Sequence, residues 1–183
     1  TYLTRAAHGT ANDYTNVFQL VDAANTFSQG TDTYLANMES VVDTEQWIRT
    51  FAVEHAAGNW DSFGNVNAQN MYGYKPRNGK WGLIIFDFNI VLNNPNVCGS
   101  GSDGPGAVLF NVQSADVAMP YLYHNGLVPA HRRAFWRAMK DLVNGGMLAT
   151  RVDPMLDAKF AAFQASGVSV TAPNGIKTFI AAA

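Results

Sequence analysis

Gly79-Lys80-Trp81-Gly82-Leu83-Ile84-Ile85-Phe86-Asp87-Phe88-Asn89 sets an apolar run between a turn and an acid. Pro76-Arg77-Asn78-Gly79 has the composition of a tight turn. Residues 71–75 before it and 80–92 after it therefore read as the two strands of a β-hairpin. The run Leu83-Ile84-Ile85-Phe86 predicts a strand buried on both faces. Asp87 interrupts it. A buried, unpaired carboxylate is costly, so Asp87 must stand at a strand end, be paired, or bind a cation. Asn89 lies two residues on and would share its face in a strand. Together they form an Asp-x-Asn pair able to offer one charged and one neutral oxygen to Mg²⁺.

A second acid precedes the hairpin in Gly58-Asn59-Trp60-Asp61. Two acids delivered by different elements, with amide oxygens nearby, can hold a divalent cation and activate a hydroxyl, as phosphoryl transfer requires. Asp61 is a candidate base for an attacking hydroxyl. Taken alone, it reads more readily as an Asx-turn residue ordering Asp61-Ser62-Phe63-Gly64. Asn65, Asn67 and Asn70 follow. An amide oxygen from one of them could complete a metal shell, although most loop asparagines only satisfy turns.

The 183 residues are 48% hydrophobic, enough for one globular domain with its own core. Only 14% are charged, below the roughly 25% of ordinary soluble domains, which implies long ordered loops and a neutral polar surface. A formal charge of −2 gives no electrostatic reason to expect nucleic acid or an anionic membrane. Arg132, Arg133, Arg137 and Lys140 cluster at a spacing that fits the solvated face of one helix. Cys98 is the single cysteine, which excludes an internal disulfide and a thiolate metal cluster. No run approaches the roughly 18 apolar residues of a membrane span. Thr1 is not a natural start and the first ten residues resemble no signal peptide, so the chain reads as part of a longer one.

Helices flank the hairpin. Tyr14, Val17, Phe18, Val21 and Ala24 repeat at helical spacing up to Gly30. Residues 43–57 read as a second helix, with Asp43 as N-cap, Gln46 three positions on, and Trp47, Ile48, Phe51 and Ala52 as its apolar stripe; Gly58 ends it. His55 near that end reads as a helix-terminal or core histidine. Residues 93–106 read as an irregular loop, and residues 107–126 carry no clear assignment. A third helix is expected over residues 129–143, with Pro129 in its first turn, Phe135, Ala138, Met139 and Leu142 inward, and Gly145-Gly146 as its stop. A fourth should start at Asp153-Pro154 and bury Leu156, Phe160 and Phe163 before Gly167. The expected class is α+β, mainly α, one domain over residues 1–183 with its core over about 14–167, built around a central hairpin.

Other motifs are weaker. Gly99-Ser100-Gly101-Ser102-Asp103-Gly104 fits the bare G-x-G-x-x-G pattern, but Pro105 and Gly106 follow where a dinucleotide fold needs a helix. There is no G-x-S-x-G elbow, and His8, His55, His124 and His131 show no metal-ligand spacing.

Val42-Asp43 opening a helix, Gly58-Asn59-Trp60-Asp61, Asn70-Met71-Tyr72, Gly79-Lys80-Trp81 and Phe86-Asp87-Phe88-Asn89, in this order, resemble the CotH family of spore-coat-type protein kinases. In that family an N-x-D loop precedes an Asn-aromatic strand, and a G-K-W hairpin then runs into P-W-D-x-D. Pro129-Ala130-His131-Arg132-Arg133-Ala134-Phe135-Trp136 and Leu142-Val143-Asn144-Gly145-Gly146 look like the helix and turn that follow there. The likeness covers roughly residues 14–167.

The resemblance implies the C-terminal lobe of an atypical, bacterial, protein-kinase-like fold, with ATP and Mg²⁺ as cofactors and protein serine as phosphoryl acceptor. Asp61 would match the catalytic-loop aspartate. Asp87 would match the metal-binding aspartate, and Asn65 or Asn70 the catalytic-loop asparagine, Asn70 fitting the Asn-aromatic motif. Asn89 stands where the family has its second acid; an amide keeps an oxygen donor but removes a charge, which should weaken the metal site. The family's nucleotide-gripping lysine and Arg-Gly-rich stretch have no match in this sequence. The resemblance thus also allows a catalytically inactive, pseudokinase-like scaffold whose partner is structural. Extracellular, cell-surface and spore-coat locations all fit a single cysteine.

Overall fold

The computed structural model describes residues 13–59, 61–63, 69–88, 91–92 and 118–182. Among these the architecture is mainly helical, with one small antiparallel sheet. Helices α1 (Thr15–Ala24), α2 (Thr31–Val41) and α3 (Thr44–Ala57) precede strands β1 (Met71–Tyr74) and β2 (Gly82–Ile85). Helices α4 (Ala118–His124), α5 (Pro129–Val143), α6 (Ala149–Ala165) and α7 (Asn174–Ala182) follow. A 3₁₀ turn, Asn25–Gln29, links α1 to α2.

Helix α3 is the centre of the fold. Its first turn is capped as its sequence predicts, the Asp43 carboxylate accepting from the Gln46 N–H at 3.1 Å. Trp47, Ile48, Phe51 and Ala52 are all buried. These side chains meet α5 on one side and the hairpin on the other. Tyr123 of α4 stacks on Phe135 of α5 with ring centroids 4.9 Å apart, and both rings are fully buried. The expected inward face of α5 is present: Phe135 and Ala138 are buried, with Met139 and Leu142 packed against them. Its basic cluster also lies as expected, with Arg133, Arg137 and Lys140 exposed and Arg132 half-buried.

Gln46 departs from the expected capping box. Its side-chain amide turns from the helix terminus to strand β2, donating to the Leu83 carbonyl at 2.8 Å and accepting from the Leu83 N–H at 2.9 Å. The Asp43 N–H, which a capping box would satisfy, donates instead to the Trp81 carbonyl at 3.0 Å. The Trp81 N–H donates to Val41 at 2.8 Å, so the hairpin is stitched to the junction between α2 and α3.

Several expectations fail, each for a physical reason. The second strand stops at Ile85 instead of running to residue 92. It alternates instead of being buried on both faces: Leu83 is 7% exposed and Ile84 52%. Among the described residues the sheet packs on α3 through one face, and the other face is exposed. The outer face carries Tyr72, Tyr74, Ile84 and Phe86, and the rings of Tyr72 and Phe86 stack at 4.6 Å. Helix α1 forms, but it buries Ala23 and packs Leu20 and Ala24 while Tyr14, Phe18 and Val21 face outward.

Helix α2 has no counterpart in the sequence reading, although Tyr34, Leu35, Met38, Val41 and Val42 repeat at its period. Helix α6 begins at Ala149, so Pro154 lies inside it, where the ring removes one backbone donor within the second turn. Its Phe163 is 49% exposed, and Leu156 and Phe160 are half-buried, because α6 packs on α7. Helix α7 has no counterpart in the sequence reading. It is held by buried Phe179 and by a Lys177–Asp157 ion pair at 2.6 Å.

Candidate functional site

Helix α3 ends at Gly58, whose left-handed backbone (φ 69°) turns the chain sharply and lets Asn59 N–H reach back to the Glu54 carbonyl at 2.9 Å. The loop that leaves this turn carries Asp61. Asn70, immediately before β1, donates its side-chain amide to the Asp61 carboxylate at 2.8 Å and to the Asp61 carbonyl at 3.2 Å. The two sequence motifs are thus joined: one side chain grips both the backbone and the acid of the other loop.

Asn70 itself has a left-handed backbone (φ 57°), which asparagine tolerates better than most residues. Its carbonyl accepts from the Phe86 N–H at 3.2 Å, closing the open end of the hairpin. Asp87 comes next. It too is left-handed (φ 63°), and it is exposed. Of the three situations open to this acid, the fold adopts the first: Asp87 stands beyond the strand end, in water, and carries no burial penalty. Non-glycine residues held in this backbone region concentrate at functional sites, and two of them bracket one hairpin end here. The same-face argument for Asn89 loses its basis, because the strand does not extend to Asp87.

Asn65 and Asn89 lie outside the described residues, as do Trp60, Asn67, Cys98 and the glycine-rich segment 99–104. Among the described residues no group of three or more His, Cys, Asp or Glu side chains is arranged to hold a metal. His55 lies in the last turn of α3 with its ring against His124 and Phe135, the helix-terminal setting expected for it.

One feature of the site has no counterpart in the sequence reading. Glu54, Asn59 and Ser62 are all buried, at 1%, 0% and 0% exposure. Glu54 Oε2 accepts from Asn59 Nδ2 at 2.6 Å. Burial pushes the Glu54 carboxyl up to about 7, against the opposing effect of that hydrogen bond. The signal was available: Glu54 falls three residues after Phe51 and seven after Trp47, on the inward stripe of α3. A second pair of buried titratable side chains meets through ring contact in the core. His131 of α5 packs edge-on against Tyr34 of α2 at 5.9 Å. Burial lowers His131 to about 4 and raises Tyr34 to about 12.

The arrangement is that of an acid-bearing loop tied to a hairpin whose far strand delivers a second acid. The sequence profile of the CotH family, described as CotH kinase protein, matches residues 3–166. The chain belongs to the CotH kinase family. No curated protein and no solved structure matches it. Among the described residues no helix is long and apolar enough to cross a membrane.

Proposed function

We propose that this chain carries the catalytic-loop and metal-binding part of a CotH-type protein kinase, transferring the γ-phosphate of ATP to protein serine. The observation that supports it best is the pair of hydrogen bonds from Asn70 to Asp61, which fixes the acid of the Gly58-Asn59-Trp60-Asp61 motif beside the Asn-aromatic motif. Asp61 is the residue that orients the serine hydroxyl and accepts its proton. The bond from Asn70 to one carboxylate oxygen helps to orient the acid, which favours in-line attack through positioning.

Asp87 with Asn70 is the set proposed to hold Mg²⁺, with Asn65 and Asn89 as further candidates. These are all oxygen donors, the chemistry that Mg²⁺ prefers, and Mg²⁺ commonly uses only one or two carboxylates with substrate phosphates completing the shell. Exposure of Asp87 suits a residue that meets a ligand arriving from solvent. Bound there, Mg²⁺ would neutralise phosphate charge. No residue of this chain is assigned to grip the nucleotide.

The test is incubation of the chain with Mg²⁺-ATP and dephosphorylated casein, read by mass spectrometry. Phosphoryl transfer should appear and fall by roughly 10²- to 10⁴-fold in D61N. Transfer undiminished in D61N would overturn the assignment of Asp61. Asn89, standing where the family has an acid, favours a second reading: a non-catalytic scaffold that kept the fold. Isothermal titration with Mg²⁺-ATP giving neither heat nor phosphorylated product would support it.

A further inference from the structure

Asp61 is held from one side by Asn70, and its own loop is anchored in the core at Asn59. Asn59 lies two residues before Asp61, is fully buried, and bonds to Glu54 twice: through its N–H to the Glu54 carbonyl at 2.9 Å and through Nδ2 to Glu54 Oε2 at 2.6 Å. The Asn59 carbonyl then accepts from the Ser62 N–H at 3.3 Å, so the turn that presents Asp61 closes on the anchored residue.

A carboxyl group is an expensive way to fill the inward face of a helix. An apolar residue of the same size would pack there without desolvation cost. Glu54 Oε1 is buried and has no hydrogen-bond partner among the described residues, so the group is not fully compensated. Its side-chain hydrogen bond among the described residues is the short one from Asn59.

We propose that Glu54 is a positioning residue for Asp61: its buried carboxyl fixes Asn59, and Asn59 sets the turn from which Asp61 reaches Asn70. Glu54 touches no substrate in this arrangement and acts only through the loop. The inference rests on the kinase reading for its catalytic consequence, but its structural content stands apart from that reading.

Two substitutions separate positioning from packing. Glu54→Met keeps the volume and removes the acceptor; Glu54→Gln keeps an acceptor oxygen for Asn59 Nδ2. The chain is followed by circular dichroism for folding and by ¹H–¹⁵N correlation spectra for the Asn70 side-chain amide, whose signals report its bond to Asp61. With E54M folded, those signals should move toward the positions they take in D61A, and E54Q should restore them to the parent positions. In the phosphotransfer assay, E54M should lower kcat by roughly 10- to 100-fold with KM for Mg²⁺-ATP little changed, and E54Q should recover most of the loss. Should E54M fail to fold, Asn59→Ser, too short to reach Glu54, carries the same test.

Asn70 signals unmoved in folded E54M or N59S would overturn the proposal, as would E54Q behaving like E54M. A parent chain that transfers no phosphate, but whose Asn70 signals respond as described, would sink the kinase reading and support the positioning role.

Discussion

At the scale of single residues, two short side chains organise the candidate site. Asn70 satisfies three demands together: it accepts a left-handed backbone, terminates the hairpin through its carbonyl, and binds Asp61 through its amide. Few other residue types could do all three. Gly58 is the second case. Its φ of 69° puts it where a Cβ is disfavoured, so Gly58→Ala should destabilise the chain by about 1 kcal/mol, measured as a lowered urea midpoint with unchanged m-value. Asp61 and Asn70 are legible in the sequence as turn residues, whereas a strand end is only one of three settings the sequence leaves open for Asp87, in a strand expected to run on to residue 92. What could not be read was that Asp87 is exposed. Its apolar neighbours suggest a buried strand, but the strand ends before it and Phe86 beside it is 40% exposed. Glu54 was legible in principle from its place on the apolar stripe of α3, but a single acid among inward residues is easily passed over as helix surface.

At the scale of elements, the hairpin is held by its attachments. A two-stranded ribbon alone is marginal in water. Here β2 is fixed by the paired bonds between Gln46 and Leu83, and the residue before it by the bonds between Trp81 and the α2–α3 junction. Trp47 Nε1 adds a bond to the Trp81 carbonyl at 2.8 Å. Gln46→Ala removes both partners of Leu83 and should cost about 2 kcal/mol. The same change should raise the amide exchange rate of Leu83 more than that of residues in α5, because it loosens one attachment and leaves the core alone. Helices with a clear cap and an inward stripe, α3 and α5, were readable to within a residue. Helix α2 is hard to read from the sequence because its opening Gly30-Thr31-Asp32-Thr33 has loop composition. Helix α6 starts earlier than the sequence predicts, because Asp153-Pro154 has the composition of an N-cap and first turn. The helix instead accepts Pro154 one turn further in, where losing a single backbone bond is tolerated.

At the scale of the whole molecule, two buried titratable groups pull stability in opposite directions. Glu54, raised to about 7 from an ordinary 4.5, keeps its proton longer in the fold than in the unfolded chain. Its contribution is therefore complete below about 4.5 and is lost as pH rises toward 7. His131, lowered to about 4 from 6.5, contributes fully above 6.5 and is lost as pH falls toward 4. The windows overlap, so the melting temperature of the parent chain should change little between about pH 4.5 and 6.5. Removing one partner exposes the other. E54Q should melt progressively lower as pH drops from 6.5 to 4, and H131F lower as pH rises from 4.5 to 7, each by on the order of 3 kcal/mol across its window. Calorimetry of the three proteins at several pH values checks this, and a slope of equal sign in both variants would contradict it. The general class, mainly helical with one hairpin, was readable from the sequence because it depends on periodicity and turns. Which faces stay in water was not, since that depends on what lies opposite. The amide of Gln46 has one more consequence at this scale. By occupying both the N–H and the carbonyl of Leu83, it seals the outer margin of β2, the place where a strand from another molecule would otherwise add to the sheet. One glutamine thereby acts as a guard against fibrous self-assembly beside an aromatic face that would invite it.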